Sequence, residues 1–478
     1  MSKKILKYMA AFSGSEVILF LGSFISFPIL TRILTKEDYG IMAVISITVS
    51  FASILSGMGL KDSILRFYSS YDEKDKSNFL STIFYSTLIS ALLIAMILIC
   101  VLILIMLLWS ALGLYYLYSF LLASLLIVIR IVTANIIALY RVEEKVRYVI
   151  FIDLATRYGG LIASVLFVIL FRNLYGYFAG LSLAEGILAI YLVYLIRDKV
   201  SYKNIRLKLL PEAVRYGFPL SMSNISIYFL MAGNRYFVGY FLGAGAVATY
   251  TVVYNLCNYI FELVKNIFYN TFMPLVMNHW NRNEVQESEK LLSLHFRLYV
   301  MLTIPAIFGL TSLGSETLSL VAGEKYTGAY YLIPYLASAI AVNGLSQVTF
   351  SGLYYKSDSR KILAITIGCA VLNAILNLVL IPWMGLIGSA WATGITYVSM
   401  VIIGYFFTLA RLNIRYNIVN VVKYICMSFI MVFIISHISV AGISGYLIKL
   451  SVGIVVYSSL LIALEFKFIK TVVASLRK

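Results

Sequence analysis

Charge is scarce in this chain. Only 12% of its 478 residues are Asp, Glu, Lys or Arg, against about 25% in an ordinary soluble domain. With 61% hydrophobic residues and a mean hydropathy of +0.92, no water-soluble core could hide the apolar surface, so the composition is that of an integral membrane protein. Cysteine is also sparse. Cys100, Cys257, Cys369 and Cys426 each sit in an apolar run without paired spacing, which excludes a disulfide framework or a thiolate metal site. His279, His295 and His437 are scattered and form no ligand set. No G-x-x-x-x-G-K-[ST] loop is present, so hydrolysis of ATP by the chain itself is not expected. Nothing calls for a cofactor or a metal. The opening MSKKILKYMA leads into an apolar run without a convincing cleavage site and reads as a retained first span.

What is present in quantity is hydrophobic stretches of spanning length. They fall at about 9–32, 41–60, 80–108, 112–139, 148–171, 175–196, 216–240, 246–273, 293–315, 329–352, 362–382, 385–408, 421–441 and 445–466. The expected fold class is therefore all-α, a multi-pass membrane protein of about 14 transmembrane helices.

The excess of base over acid, 38 against 21, gives a net charge of +17. Its distribution argues for topology and against nucleic acid. Alternate inter-span segments, from Lys3, Lys4 and Lys7 through Arg197–Arg215 to Lys467–Lys478, hold 29 of the 38 bases, and the opposite segments hold only Arg32, Lys36, Arg172, Lys325 and Lys449. By the positive-inside rule both termini are cytoplasmic. The longest outward loop, 316–328, is too short for an extracytoplasmic catalytic domain.

Two pairs of stretches about 210 residues apart resemble one another: LYRVEEKVRYVIF and LYYKSDSRKILAI, then ILTKEDYGIMAV and FLGAGAVATYTV. The order of spans is preserved. This predicts an N-terminal six-helix lobe (1–200), a basic linker (201–215), a second six-helix lobe (216–410) and two extra helices with a basic tail (411–478). Parallel repeats of this kind mark transporters that rock two lobes around a shared site.

FPILTRILTKEDYGIMAV, NRYFVGYFLGAGAVATYTVVYN and NAILNLVLIPWMGLIGSAWATG resemble the polysaccharide transporters of the multidrug/oligosaccharidyl-lipid/polysaccharide exporter superfamily, across the first twelve spans. The resemblance implies a non-enzymatic flippase of the bacterial cytoplasmic membrane. It would move undecaprenyl-pyrophosphate-linked oligosaccharides outward for O-antigen, capsule or exopolysaccharide assembly. Its partners would be that lipid-linked substrate, membrane lipids and other polysaccharide-assembly proteins. The resemblance also implies a central cavity lined by spans one, two, seven and eight. The family often carries an aspartate where this chain has Asn234. Two alternatives stay open: a multidrug or cation antiporter of the same superfamily, and a polytopic polysaccharide polymerase or ligase.

Helical periodicity marks the same four spans independently. Ser46, Ser50, Ser53 and Gly57 form one stripe of the second span, and Ser15, Gly22 and Ser26, beside Glu16, one of the first. In the seventh span Gly217, Ser221, Asn224, Tyr228 and Arg235 share a face. In the eighth, Thr251, Asn255, Asn258, Glu262, Lys265 and Tyr269 do. On the first two spans the stripes fit helix packing as well as a wet surface. On the seventh and eighth, amides, tyrosines and charges point to a hydrated cavity. There Arg235 and Lys265 would hold a pyrophosphate, and Glu262 is either the resting partner of Lys265 or a coupling-ion site. Arg130 interrupts LLIVIRIVTAN. Glu185 falls at about the same depth, with Asp153 and Arg157 nearby, so these four read as a structural charge network, paired because a lone ion in lipid is costly.

Overall fold

The computed structural model describes residues 22, 25–108, 114–355, 359–409, 412, 414, 416–440 and 442–476. Among these residues the chain is all-helical. Among the described residues, eleven helices are long and apolar enough to cross a membrane. Of the fourteen expected spans, the first lies mostly outside the described residues, and Glu16 with it. The seventh and eighth are helical but fall short in apolar content, because they carry the polar stripes.

The chain forms two compact units, Met1–Thr251 with Arg360–Gly385, and Val252–Ser359 with Leu386–Lys478. In the first unit, α1 (Lys36–Gly57) starts at Thr35, whose hydroxyl accepts from the Asp38 N–H, and Glu37 and Asp38 sit in its first turn where the helix dipole favours acid. α1 ends in the left-handed pair Met58 (φ 44°) and Gly59 (φ 68°) and passes directly into α2 (Leu60–Phe67). α3 (Glu73–Leu108), α4 (Leu114–Val142) and α5 (Val146–Leu154) follow. A π-helical turn at Ala155–Gly159 joins α5 to α6 (Gly160–Phe171), and Asn173 caps α7 (Leu174–Ile196) through its bond from the Gly176 N–H. α8 (Leu210–Ala232) breaks at Gly233 into α9 (Asn234–Leu242).

Close helix contacts explain the small residues. A Cβ on Gly180 would sit 2.4 Å from the Ala163 carbonyl oxygen and one on Gly176 2.6 Å from that of Phe167, so this G-x-x-x-G pair lets α7 lie directly on α6. A Cβ on Gly59 would sit 1.9 Å from the Gly217 carbonyl oxygen, which seats α8 on the α1–α2 corner. Ser63 donates to the Ala213 carbonyl at 2.7 Å across the same contact. The core beneath it joins Leu60, Ile64, Phe79, Leu80, Ile83, Ile136, Leu139 and Ile152. The spanning part of α3, by contrast, has a mean hydropathy of 3.4 and is 11% buried. Its side chains face outward, which in an apolar helix means lipid.

α10 (Ala244–Asn281) begins in the first unit and ends in the second. The second unit continues with α11 (Val285–Ser312), α12 (Gly314–Ala322) and α13 (Ile333–Gly344), the last extended by short turns at Ser346–Thr349 and Ser351–Tyr355. α14 (Ser359–Met384) returns almost wholly to the first unit, and α15 (Leu386–Leu409), α16 (Ile418–Ser436) and α17 (Gly442–Leu476) complete the second. Tyr299, Met301, Tyr424, Met427, Met431, Ile435 and Tyr457 form the core between α11, α16 and α17.

Candidate functional site

In the first unit the α1 stripe is half-buried at every position, Ser46, Ser50, Ser53 and Gly57, while Ile45, Ile47, Val49 and Ala52 between them are buried. The Ser50 and Ser53 hydroxyls donate to the carbonyls of Ser46 and Val49, both at 2.8 Å. Each spends its proton on the helix and keeps lone pairs for an incoming donor. Beside the stripe, Thr48 and Tyr236 share a hydrogen bond of 2.8 Å, and the Phe51 ring packs edge-on against Tyr228 with centroids 5.0 Å apart.

The α8 stripe divides. Gly217 and Ser221 are packing residues: Gly217 meets Gly59, and the Ser221 hydroxyl donates to the Ile54 carbonyl at 3.0 Å. Asn224 is exposed and Tyr228 half-buried. Arg235, on α9, is 5% exposed. Its Nε donates to Thr251 Oγ1 at 3.1 Å and its Nη1 to the Met231 carbonyl at 2.9 Å, tying α9 to α8 and α10 across the break at Gly233.

Sequence reasoning missed the amide cluster beside Arg235. Asn234 donates to the Tyr250 hydroxyl at 3.0 Å and accepts from Asn377 Nδ2 at 2.9 Å, and Asn377 also reaches Asn373 Oδ1 at 3.0 Å. All are buried. The signal was available as two asparagines four residues apart in NAILNLVL, one face of a helix. Where an aspartate at position 234 would bring a buried charge, Asn234 offers both a donor and an acceptor and closes a neutral network.

Arg130 and Glu185 meet in a two-pronged pair, Nε to Oε2 and Nη2 to Oε1, both at 3.1 Å. The Glu185 side chain is 5% exposed and that of Arg130 33%. The tyrosines Tyr177 and Tyr228 lie within electrostatic range of the guanidinium. Asp153 and Arg157 do not join the pair. Among the described residues neither has an ion-pair partner within 4 Å, and Asp153 has Arg141 and Arg157 as its charged neighbours. Arg157 sits in the π-helical turn, which rotates it relative to a regular helix.

At the α4–α5 corner Glu143 bonds Lys145 at 2.7 Å and also Lys199. Burial pushes its carboxyl upward, but the hydrogen bonds and charges of the two lysines outweigh that and hold it below the ordinary carboxylate value. Asp62, on α2, goes the other way: burial raises it, against the opposing charges of Lys61 and Arg141.

In the second unit the α10 stripe survives as a surface. Asn255, Asn258, Glu262 and Lys265 are half-buried and Tyr269 is exposed; Leu256, Cys257 and Phe261 among them are buried, and Ile267 on the far side is exposed. Thr251, one turn earlier, is buried against Arg235. Lys265 Nζ lies 2.5 Å from Glu262 Oε1, with the two side chains 20% and 19% exposed. This arrangement offers a cation held by one carboxylate one turn away, flanked by two amides and a phenol. Among the described residues no cluster of His, Cys, Asp and Glu could hold a metal ion.

A family model described as "Polysaccharide biosynthesis protein" matches residues 29–331. The probable low-salt glycan biosynthesis flippase Agl15 of Haloferax volcanii is 27% identical over 199 residues, 42% of this chain. The chain spans 41% of the length of that curated relative. The lipid II flippase MurJ in an inward closed conformation shares the fold with a TM-score of 0.80 at 16% identity, covering 96% of this chain and 99% of that one. An inward-facing multidrug resistance MATE family transporter of the MOP superfamily is similar with a TM-score of 0.68 at 14% identity, covering 82% and 94%. At these identities the structural likenesses establish the fold.

Proposed function

Because the chain belongs to the polysaccharide biosynthesis protein family, we propose that it flips polyprenyl-pyrophosphate-linked oligosaccharides from the cytoplasmic to the outer leaflet of the bacterial cytoplasmic membrane. The reading covers both cytoplasmic termini and alternating access by the repeated lobes 1–200 and 216–410. The observation that carries it is the α10 stripe. Asn255, Asn258, Glu262, Lys265 and Tyr269 line up on one face of the helix and all keep accessible surface, beside the buried apolar Leu256, Cys257 and Phe261. Amides and a phenol suit sugar hydroxyls, and an ammonium suits phosphate. The MurJ-like fold and the name of the Haloferax volcanii relative support the same class.

Glu262 sets the resting state. A lysine with no counter-ion in a membrane helix is costly, and the carboxylate one turn away removes that cost while the site is empty. An arriving pyrophosphate carries more charge than one carboxylate and competes for Lys265, so the switch needs no covalent chemistry. Arg235 reaches a substrate only by releasing Thr251 and Met231. Its part in the proposal is to hold the α8–α9 break against the start of α10, with Asn224 and Tyr228 the accessible members of its stripe. A carrier of cationic drugs would need Glu262 available to its substrate, and its pairing with Lys265 disfavours that reading.

The test in cells is a deletion complemented with wild type or with Lys265→Gln. Loss of surface polysaccharide with lipid-linked repeat units accumulating on the inner leaflet is the expected phenotype, restored by wild type only. Export of unpolymerised units from the deletion strain would overturn the flippase reading.

A further inference from the structure

One cavity lies away from the α10 stripe and plays no part in the proposed transport. It is an open cleft of about 270 Å³ in the second unit, lined by Ser293, Leu294, Phe296, Arg297 and Val300 of α11, Asn417 and Asn420 at the start of α16, and Phe468 of α17. All three helices are membrane spans. The lining falls into an apolar wall and a set of hydrogen-bond donors, and no acidic residue belongs to it.

The charge beneath it does not cancel. Glu465, 4% exposed, takes Arg297 on one carboxylate oxygen and Lys423 on the other, at 2.7 Å for the lysine. Among the described residues, two cations and one anion leave a net charge of +1. Glu465 sits where α17 departs from helical geometry (φ −121°, ψ 17°), and past that kink the Phe468 ring lies 3.4 Å from the Arg297 guanidinium. Arg297 is thereby fixed: Nε donates to the Tyr424 hydroxyl and Nη2 to Glu465. Its Nη1 has no hydrogen-bond partner among the described residues.

Three further donors converge on the same space. Asn420 is 7% exposed, lines the cleft, and its side-chain amide has no partner among the described residues. Asn417 occupies the N-cap position of α16 without making a side-chain cap bond, and the first turn carries no acid. The open N–H groups of this 19-residue helix therefore face an uncapped end that favours an anion. An unbonded amide, an open guanidinium edge and an uncapped helix start thus present convergent donors to the same accessible cleft, the arrangement an acceptor such as a phosphate would use.

We propose that this cleft binds the phosphate of an anionic membrane phospholipid. Arg297 Nη1, the Asn420 and Asn417 amides and the α16 N-terminus donate to the phosphate oxygens, and an acyl chain follows the wall of Leu294, Val300 and Phe468. The uncompensated positive charge among the described residues suits the anionic phosphodiester. The apolar wall on membrane helices selects a lipid over a soluble phosphate, and a cleft of about 270 Å³ is too small for an oligosaccharide headgroup.

The experiment is lipid retention and thermal stability of the purified full chain, by native mass spectrometry with added phosphatidylglycerol or phosphatidylcholine. Wild type is expected to retain phosphatidylglycerol preferentially and to melt at higher temperature with it. Asn420→Leu fills the polar edge without touching Glu465 and is expected to bind about tenfold more weakly. Asn417→Ala, outside the core, is the second variant should Asn420→Leu misfold. Lys449→Gln, a basic residue elsewhere in the unit that bonds Glu316, is expected to bind as wild type. Equal retention of both lipids, no loss in either asparagine variant, or displacement of the lipid by millimolar inorganic phosphate would each overturn the proposal.

Discussion

Removing one partner of the Arg130–Glu185 pair separates a structural role from a transport role. Arg130→Ala leaves a carboxylate that is 5% exposed without the two 3.1 Å bonds that neutralise it. Breaking a buried pair from one side costs about 3–5 kcal/mol. The Arg130 side chain keeps a third of its surface accessible, so the pair is not fully enclosed and the lower end, about 3 kcal/mol, is appropriate. That corresponds to roughly two decades in the folding constant at about 1.4 kcal/mol per decade. Glu185→Ala strands the more accessible cation and is expected to cost less. The double variant removes both charges and should recover much of the loss, giving a coupling energy of about 1–3 kcal/mol. The assay is denaturant unfolding in one detergent, read by tryptophan fluorescence, on wild type, both single variants and the double. Additive effects, with the double variant as unstable as the sum of the singles, would refute the pairing as a source of stability.

Three further outcomes are expected. Gly59→Ala combines a left-handed backbone with a Cβ 1.9 Å from the Gly217 oxygen and should abolish monodisperse protein, whereas Gly243→Ala, at φ 83° and ψ 174° with open space around it, incurs backbone strain alone and should cost about 1–3 kcal/mol; folded Gly59→Ala at wild-type yield would contradict the close contact. Glu143 has a folded-state pKa below its ordinary value, so its stabilisation is complete above the unfolded pKa of about 4.3 and disappears as pH falls through the folded value. Melting curves between about pH 6 and 3 should therefore lose less in Glu143→Gln than in wild type; parallel curves would count against it. Arg235→Ala should lose about 1–3 kcal/mol by stranding Thr251 and the Met231 carbonyl, and Arg235→Lys should lose less, since one ammonium can serve only part of that geometry; an unchanged melting temperature for Arg235→Ala would exclude the bracing role.

The all-helical membrane fold was legible because hydrophobic length is a one-dimensional property, and the seventh and eighth spans were legible as unusual through their polar residues. The depth match between Arg130 and Glu185 followed from counting rises along neighbouring helices. Contacts that depend on which helices lie side by side were not readable. Gly59 meets Gly217 and Asn234 meets Asn377 over separations of 158 and 143 residues, and a single sequence offers no register for either. Depth alone puts Asp153 and Arg157 near Arg130 and does not say which way either side chain faces; Arg157 falls in the π-helical turn at Ala155–Gly159, and Asp153 in the regular turn before it. Burial of Arg235 escaped notice because a helical stripe says which residues share a face and nothing about how far a neighbouring helix covers it. Arg297 and Lys423 counted as topology charges, and their shared acid, Glu465, sits at the end of the last span where the helix kinks.

Transport itself is tested most directly with purified protein in liposomes. A polyprenyl-pyrophosphate oligosaccharide labelled on its sugar is placed in both leaflets, and its accessibility to an added membrane-impermeant quencher is followed with wild type, Lys265→Gln and the Lys265→Gln, Glu262→Gln double variant. Wild type should make nearly all of the label accessible. The single variant, with an acid and no cation facing the phosphate, should be slowest, and the double variant should be faster than the single. Liposomes in which wild type leaves half the label protected, while a cationic dye crosses, would contradict the flippase assignment.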